Sequence, residues 1–209
     1  MSSQNRALIV VDVQQEYFDG PLEIQYPPRD ESLAQIVRAV DAASEAGMPV
    51  VVVQHDLPEG APVFANGSAG WSLHADLESR LQPQWKRVTK SYASVFDGTG
   101  LVDWLREQGV DRVTLVGYMT NNCILGTAVT AEPLGIAVEV LSDATGAIHI
   151  SNSAGSVPAQ QVHETLMAVL HSNLAAVATT DAWVESVSSG AELAGSDLGS
   201  SAMQGRAEH

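Results

Sequence analysis

Short apolar runs of strand length constrain this chain more than any other feature: ALIVVDV (Ala7 to Val13), PVVVV (Pro49 to Val53), VTLV (Val113 to Val116), AVEVL (Ala137 to Leu141) and AAVA (Ala175 to Ala178). They are rich in Val and apolar on both faces, as strands covered by helices on either side of a parallel sheet should be. Between the first two, Glu31 to Ala46 sets Leu33, Ile36, Val37, Val40 and Ala43 at helical spacing, and Gly47 supplies a stop signal. That is a β-α-β unit. Leu101 to Gln108, Asn122 to Leu134 and Ala159 to Leu170 alternate with the later runs in the same way. The pattern predicts an α/β fold with a single doubly wound, mainly parallel sheet flanked by helices.

A chain of 209 residues with 45% hydrophobic content can bury one sizeable core, so one domain is expected. Its formal net charge of −15, with only 10 Lys and Arg, argues against a nucleic-acid partner, which would need a clustered basic surface. No segment approaches the roughly 20 uninterrupted apolar residues of a membrane span, and the N-terminus reaches Asp12 too soon for a secretory signal. A cytoplasmic protein without a membrane partner is the expectation. Residues 54 to 100 break the rhythm with Pro, Gly and scattered aromatics, an interval long enough to suggest function. From about Val187 the chain is Ser, Gly and Ala with almost no large apolar residue, which predicts a flexible tail over 187–209 after a domain over 1–186.

Three residues stand out chemically. Asp12 interrupts an apolar strand near its C-terminal end, where open α/β sheets gather ligand-binding groups, although an Asp there equally caps a turn. Lys90, in RVTKSYASVF, reads alone as a solvated surface charge. Cys123 is the only cysteine, so it forms no internal disulfide and is either a buried apolar residue or a working thiol. VTLVGYMTNNCILGTAVTA reads as a buried strand, a short turn and a helix beginning near Cys123, where backbone amides and the helix dipole favour a thiolate and can receive an oxyanion. In a doubly wound sheet the first strand and the strand at the order reversal are neighbours, which would bring Asp12 and Cys123 to one crevice.

The chain resembles the isochorismatase-like hydrolases, the superfamily of nicotinamidases and carbamoylsarcosine amidohydrolase, over about residues 6 to 185. The carriers are LIVVDVQQEYF around Asp12, KSYASVFDGTGLVDWLREQGV around Lys90 and VGYMTNNCILGTAVTAEPLGIAVEVLSDAT around Cys123. The resemblance implies a three-layer sandwich, with Cys123 as nucleophile and Asp12 and Lys90 as its partners. It also implies a cis peptide at Tyr118 to Met119 and an oxyanion hole made by the Met119 and Cys123 amides. In that scheme Lys90 lowers the thiol pKa, and Asp12 accepts the thiol proton and later delivers it to the leaving amine.

Some nicotinamidases hold a metal with an Asp-x-His pair and a later His. Here His55 and Leu57 stand at the first two positions and only His74 matches the third, so no metal or other cofactor is expected. Retention of both Cys123 and Lys90 points to acyl transfer on a small amide, carbamoyl compound, lactam or cyclic ureide. Vinyl ether hydrolysis, or a non-catalytic binding protein on this fold, are the alternatives. Phe18, Trp71, Tyr92 and Tyr118 are candidates for an aromatic-walled substrate pocket, and equally for core or interface packing. The resemblance also implies a homo-oligomer, a dimer or tetramer.

Overall fold

The structure, a computed structural model, describes residues 5–209. In chain order the elements are β1 (Arg6–Val11), α1 (Arg29–Glu45), β2 (Val50–His55), α2 (Ala75–Glu78), β3 (Lys86–Lys90), α3 (Leu101–Glu107), β4 (Arg112–Tyr118), α4 (Leu125–Ala131), β5 (Ala137–Gly146), β6 (Ile150–Asn152), β7 (Gly155–Val157), α5 (Ala159–Val169), β8 (Ala176–Ala178), α6 (Thr180–Ser189) and α7 (Leu198–Glu208). Six strands form one parallel sheet in the order β3-β2-β1-β4-β5-β8, and β6 and β7 pair as a small antiparallel ribbon outside it. The order reverses between β1 and β4, which opens a crevice at their C-terminal ends.

The alternation of side chains along β1 sorts the core into two layers. Ala7, Ile9 and Val11 pack with Leu101 and Leu105 of α3, Ala128 and Ala131 of α4 and Met167 of α5. Leu8 and Val10 face the other way, onto Ile36, Ala39, Val40 and Ala43 of α1 and Trp183 of α6. A buried polar lock ties α6 to the sheet: Arg6 Nη2 lies 2.8 Å from Glu139 Oε1, Thr114 Oγ1 donates to Glu139 Oε2 at 2.6 Å, and the Trp183 indole donates to Thr114 Oγ1 at 2.9 Å. Each charge there is met by an opposite charge or a donor, which is what makes its burial tolerable.

Two features differ from the sequence expectation. The long connection contains a sixth sheet strand, β3, whose KRVTK sequence alternates outward polar residues with the buried Val88 and Lys90 and so lacks the apolar signature of the others. The segment 187–209 is not featureless either. Val187 and Leu193 pack against the α1 layer, and Asp197 caps α7 by accepting from the Ser200 amide at 2.9 Å. Among the described residues, no helix is long and apolar enough to cross a membrane.

Gly117 holds the crevice narrow. It adopts φ +104°, and a Cβ there would lie 2.1 Å from the carbonyl oxygen of Val11, its register partner, immediately before Asp12. Gly117→Ala must therefore separate β1 from β4. The expected cost exceeds about 4 kcal/mol in urea denaturation, because both the backbone conformation and the strand spacing are violated.

Candidate active site

The C-terminal ends of four adjacent strands supply one group each. Asp12 follows β1, His55 ends β2, Lys90 ends β3 and Cys123 sits in the π-helical turn Thr120–Ile124 between β4 and α4. His55 and Lys90 are register partners across β2 and β3. Asp12 has φ +50°, a left-handed conformation that a short polar residue tolerates better than a bulky one, and its amide donates to Val53 O at 3.0 Å. The turn after β4 carries a cis peptide between Tyr118 and Met119, at the position the resemblance implies.

These four side chains converge on one atom. Lys90 Nζ lies 2.7 Å from Asp12 Oδ2, 2.9 Å from His55 Nδ1 and 3.2 Å from Cys123 Sγ. The Lys90 ammonium thus makes hydrogen-bond contacts to His55 and Cys123 and an ion pair with Asp12. The side chains of Asp12 and Lys90 are wholly buried and that of His55 is 12% exposed. Ligand atoms of Asp12, His55 and Cys123 fall within 4.8 Å of one another, a spacing compatible with a metal, but the Lys90 ammonium already stands among them as the cation. The metal set implied by the resemblance does not assemble: Leu57 offers no donor atom, and His74 Nδ1 accepts from the Asp76 amide at 3.3 Å as the cap of α2.

Burial governs the protonation states. It pushes the Cys123 thiol up to about 12, the Asp12 carboxylate adds to the rise, and Lys90 opposes it. This corrects the expectation of a lowered thiol pKa: Lys90 acts in the expected direction but is outweighed. For Lys90 burial works to lower the pKa, yet Asp12 and Cys123 hold it above the ordinary lysine value, so the ammonium keeps its charge. His55 is lowered by burial and then by Lys90, and is neutral near pH 7. The resting cluster thus sets a neutral thiol, an ammonium and a neutral imidazole around Asp12. Passing the thiol proton to Asp12 leaves the charge of the cluster unchanged, whereas losing it to bulk water would leave an unbalanced negative charge in a buried place.

The surrounding shell includes groups that sequence reasoning missed. Gln14, fully buried, accepts from the His55 amide at 2.8 Å and donates to His55 O at 3.0 Å and Trp71 O at 2.7 Å, fixing the end of β2 to the long connection. Tyr17 is buried beside the cluster; burial first, and then the acidic groups around it, hold its pKa well above the ordinary phenol value, so its phenol stays protonated. Both lie in the VDVQQEYF run after Asp12, where clustered polar residues next to a reactive carboxylate were the available signal. His163 donates from Nε2 to Ser142 O at 2.9 Å and accepts at Nδ1 from Thr120 Oγ1 at 3.0 Å, bracing the turn that carries Cys123.

The four expected pocket aromatics have different fates. Phe18 is buried, stacked 4.3 Å from the His74 ring and 5.7 Å from Tyr118. Tyr118 is fully buried and its hydroxyl is bonded to Ser32 Oγ at 2.8 Å, so it serves the core instead of an open pocket wall. Trp71 is half-buried with its carbonyl held by Gln14, and its indole N–H is buried without a partner. Tyr92 is 65% exposed, two residues beyond Lys90. Ring contacts run continuously from His74 through Phe18, Tyr118, Tyr17 and Phe64 to His55.

Known proteins share this arrangement of chain. A family model for the isochorismatase domain matches residues 6–182. A crystal structure from Burkholderia xenovorans LB400, described as an isochorismatase, is similar with a TM-score of 0.95 and 45% identity, covering 99% of this chain and 99% of that one. The secreted isochorismatase effector of Verticillium dahliae is 34% identical over 151 residues, 69% of this chain and 74% of the relative. Maleamate amidohydrolase of Pseudomonas putida is 30% identical over 158 residues, 68% of this chain and 73% of the relative.

The charge balance predicts the pH behaviour of the thiol. A group raised by burial and a neighbouring carboxylate reacts with iodoacetamide at a rate that keeps climbing above pH 9, with no plateau around the free-thiol value of about 8.5. Lys90→Met removes the one opposing charge, so Cys123 alkylation at pH 9 should slow further, with circular dichroism confirming the fold. A plateau near neutrality in the wild type contradicts the assignment.

Proposed function

The chain belongs to the isochorismatase family and is a hydrolase, and from that premise we propose that it cleaves the C–N bond of a small amide through an acyl-enzyme on Cys123. The observation that carries this reading is the single ammonium of Lys90 touching both the Asp12 carboxylate and the Cys123 sulfur. A carboxylate and a thiol joined this way are matched to acyl transfer, where a proton must leave the nucleophile and later reach the amine.

In the first step Cys123 Sγ attacks the carbonyl carbon as its proton passes to Asp12. The amides of Met119 and Cys123, in the turn after β4, are the proposed donors to the oxyanion. Asp12 then returns the proton to the departing nitrogen, the C–N bond breaks and an amine or ammonia leaves. Water, deprotonated by Asp12, attacks the thioester and releases the acid and the free thiol. Lys90 keeps a positive charge throughout, stabilising whichever of Asp12 and Cys123 is ionised. Burial of the nucleophile favours a small substrate, and the relative named maleamate amidohydrolase supports amides over ethers.

A panel of small primary amides, carbamoyl compounds, lactams and cyclic ureides, assayed for released ammonia or new carboxylate, tests the reading. Cys123→Ser should lower turnover of any substrate found by at least about a thousandfold with the fold retained. Asp12→Asn should lower it by about a hundredfold or more, because the amide cannot take the thiol proton. Undiminished hydrolysis by Cys123→Ser, or turnover confined to a vinyl ether, overturns the acyl-enzyme.

A further inference from the structure

We infer that His55 is a positioning residue of this site, which holds the Lys90 ammonium against Cys123 and Asp12 by accepting one of its N–H groups. The inference rests on the reading that Lys90 and Cys123 act together, and it adds a member that the Asp-Lys-Cys arrangement does not require.

Four observations converge on it. The His55 Nδ1 contact to Lys90 Nζ, at 2.9 Å, is as short as a charge-assisted hydrogen bond should be. The Lys90 side chain is wholly buried, so bulk water does not reach the ammonium to replace a lost acceptor. The backbone of His55 is held by Gln14 at both its N–H and its C=O, which fixes the point at the end of β2 from which the imidazole projects. Its ring packs 4.9 Å from Phe64, the last ring of the aromatic run, which limits its rotation.

The tautomer follows from the charges. An ammonium only donates, so Nδ1 must be the acceptor and the hydrogen must sit on Nε2. The groups facing the imidazole are Lys90 from β3, Asp12 after β1, Cys123 after β4 and its own neighbour Asp56; the two carboxylates favour protonation, while burial and Lys90 oppose it more strongly. His55 therefore takes a proton only below its ordinary titration range. The contact to Lys90 is present above that pH and is lost as pH falls through it, when imidazolium would face ammonium.

Two measurements test the assignment. In the wild type labelled with nitrogen-15, the His55 ring, identified by the signals that vanish in His55→Asn, should show a protonated Nε2 and an unprotonated Nδ1 at pH 7.5. The reverse tautomer, read on the wild-type protein itself, overturns the inference. Second, iodoacetamide alkylation of Cys123 is followed from pH 7 to 10 in wild type, His55→Leu, His55→Asn and Lys90→Met. His55→Leu removes the acceptor and should slow alkylation at pH 9 by about tenfold, the scale of one unsatisfied buried donor. His55→Asn sets an oxygen near the Nδ1 position and should restore the rate to within about threefold of wild type. If Lys90→Met slows alkylation and His55→Leu does not, His55 has no such role while the pairing of Lys90 with Cys123 stands. Equal slowing by Leu and Asn assigns the effect to ring packing and overturns the inference. If neither Lys90→Met nor His55→Leu alters the profile, the underlying reading of the site fails as well.

Discussion

One buried ammonium balances this site. Among the described residues, Lys90 Nζ is the positive group in contact with both Asp12 and Cys123, paired with the carboxylate and within hydrogen-bond distance of the imidazole and the sulfur. A single positive charge compensates a single negative charge. The cluster therefore tolerates an ionised Asp12 or an ionised Cys123 but resists both together, which is the physical content of the raised thiol pKa. The same constraint distinguishes two fates of the thiol proton: loss to water changes the net charge of the buried cluster, and transfer to Asp12 does not.

The fold exists, from the standpoint of this site, to set strand ends side by side. A parallel sheet brings every C-terminal end to one edge, and the order β3-β2-β1-β4 makes Lys90, His55, Asp12 and Cys123 the termini of consecutive strands. The close approach of Gly117 to the Val11 carbonyl sets the spacing between the Asp12 and Cys123 strands. On the other side, the long connection is drawn over the edge by Gln14 and by Glu16, whose amide donates to Gly70 O at 2.9 Å and whose carboxylate sits where Gly20 and Gly70 leave no room for a side chain. Parallel pairing gives the edge, and these polar clamps close it.

Much of this was legible in the sequence because its signals are local. The Val-rich runs specify buried parallel strands, and Asp12 and Cys123 each break an apolar stretch at the end of one. Lys90 was recognisable only through the resemblance of its surroundings, since KRVTK forms one of the two edge strands of the sheet, with alternating exposure, and carries no apolar signature. His55 was read against a metal-ligand pattern. Its actual partner, Lys90, is 35 residues away and becomes its neighbour only through the register of β2 on β3. The direction of the thiol pKa was misjudged for a related reason. A lysine next to a cysteine can be inferred from motifs, but the desolvation that outweighs it is a sum over the whole fold and has no sequence signature.

The closed environment also bears on how such a nucleophile can be both reactive and safe. Cys123 has no exposed surface, and its proton leaves at little electrostatic cost only toward Asp12. An oxidant or alkylating agent in solution meets a buried neutral thiol, which is a weak nucleophile. A carbonyl carbon seated against the sulfur changes this balance, because the negative charge moves on to the carbonyl oxygen as the bond forms, and the proton already has Asp12 as its destination. Reactivity is then tied to the presence of substrate, and it is the low polarity of the site, the factor that raises the thiol pKa, that strengthens the contacts of Lys90 with the charges that develop.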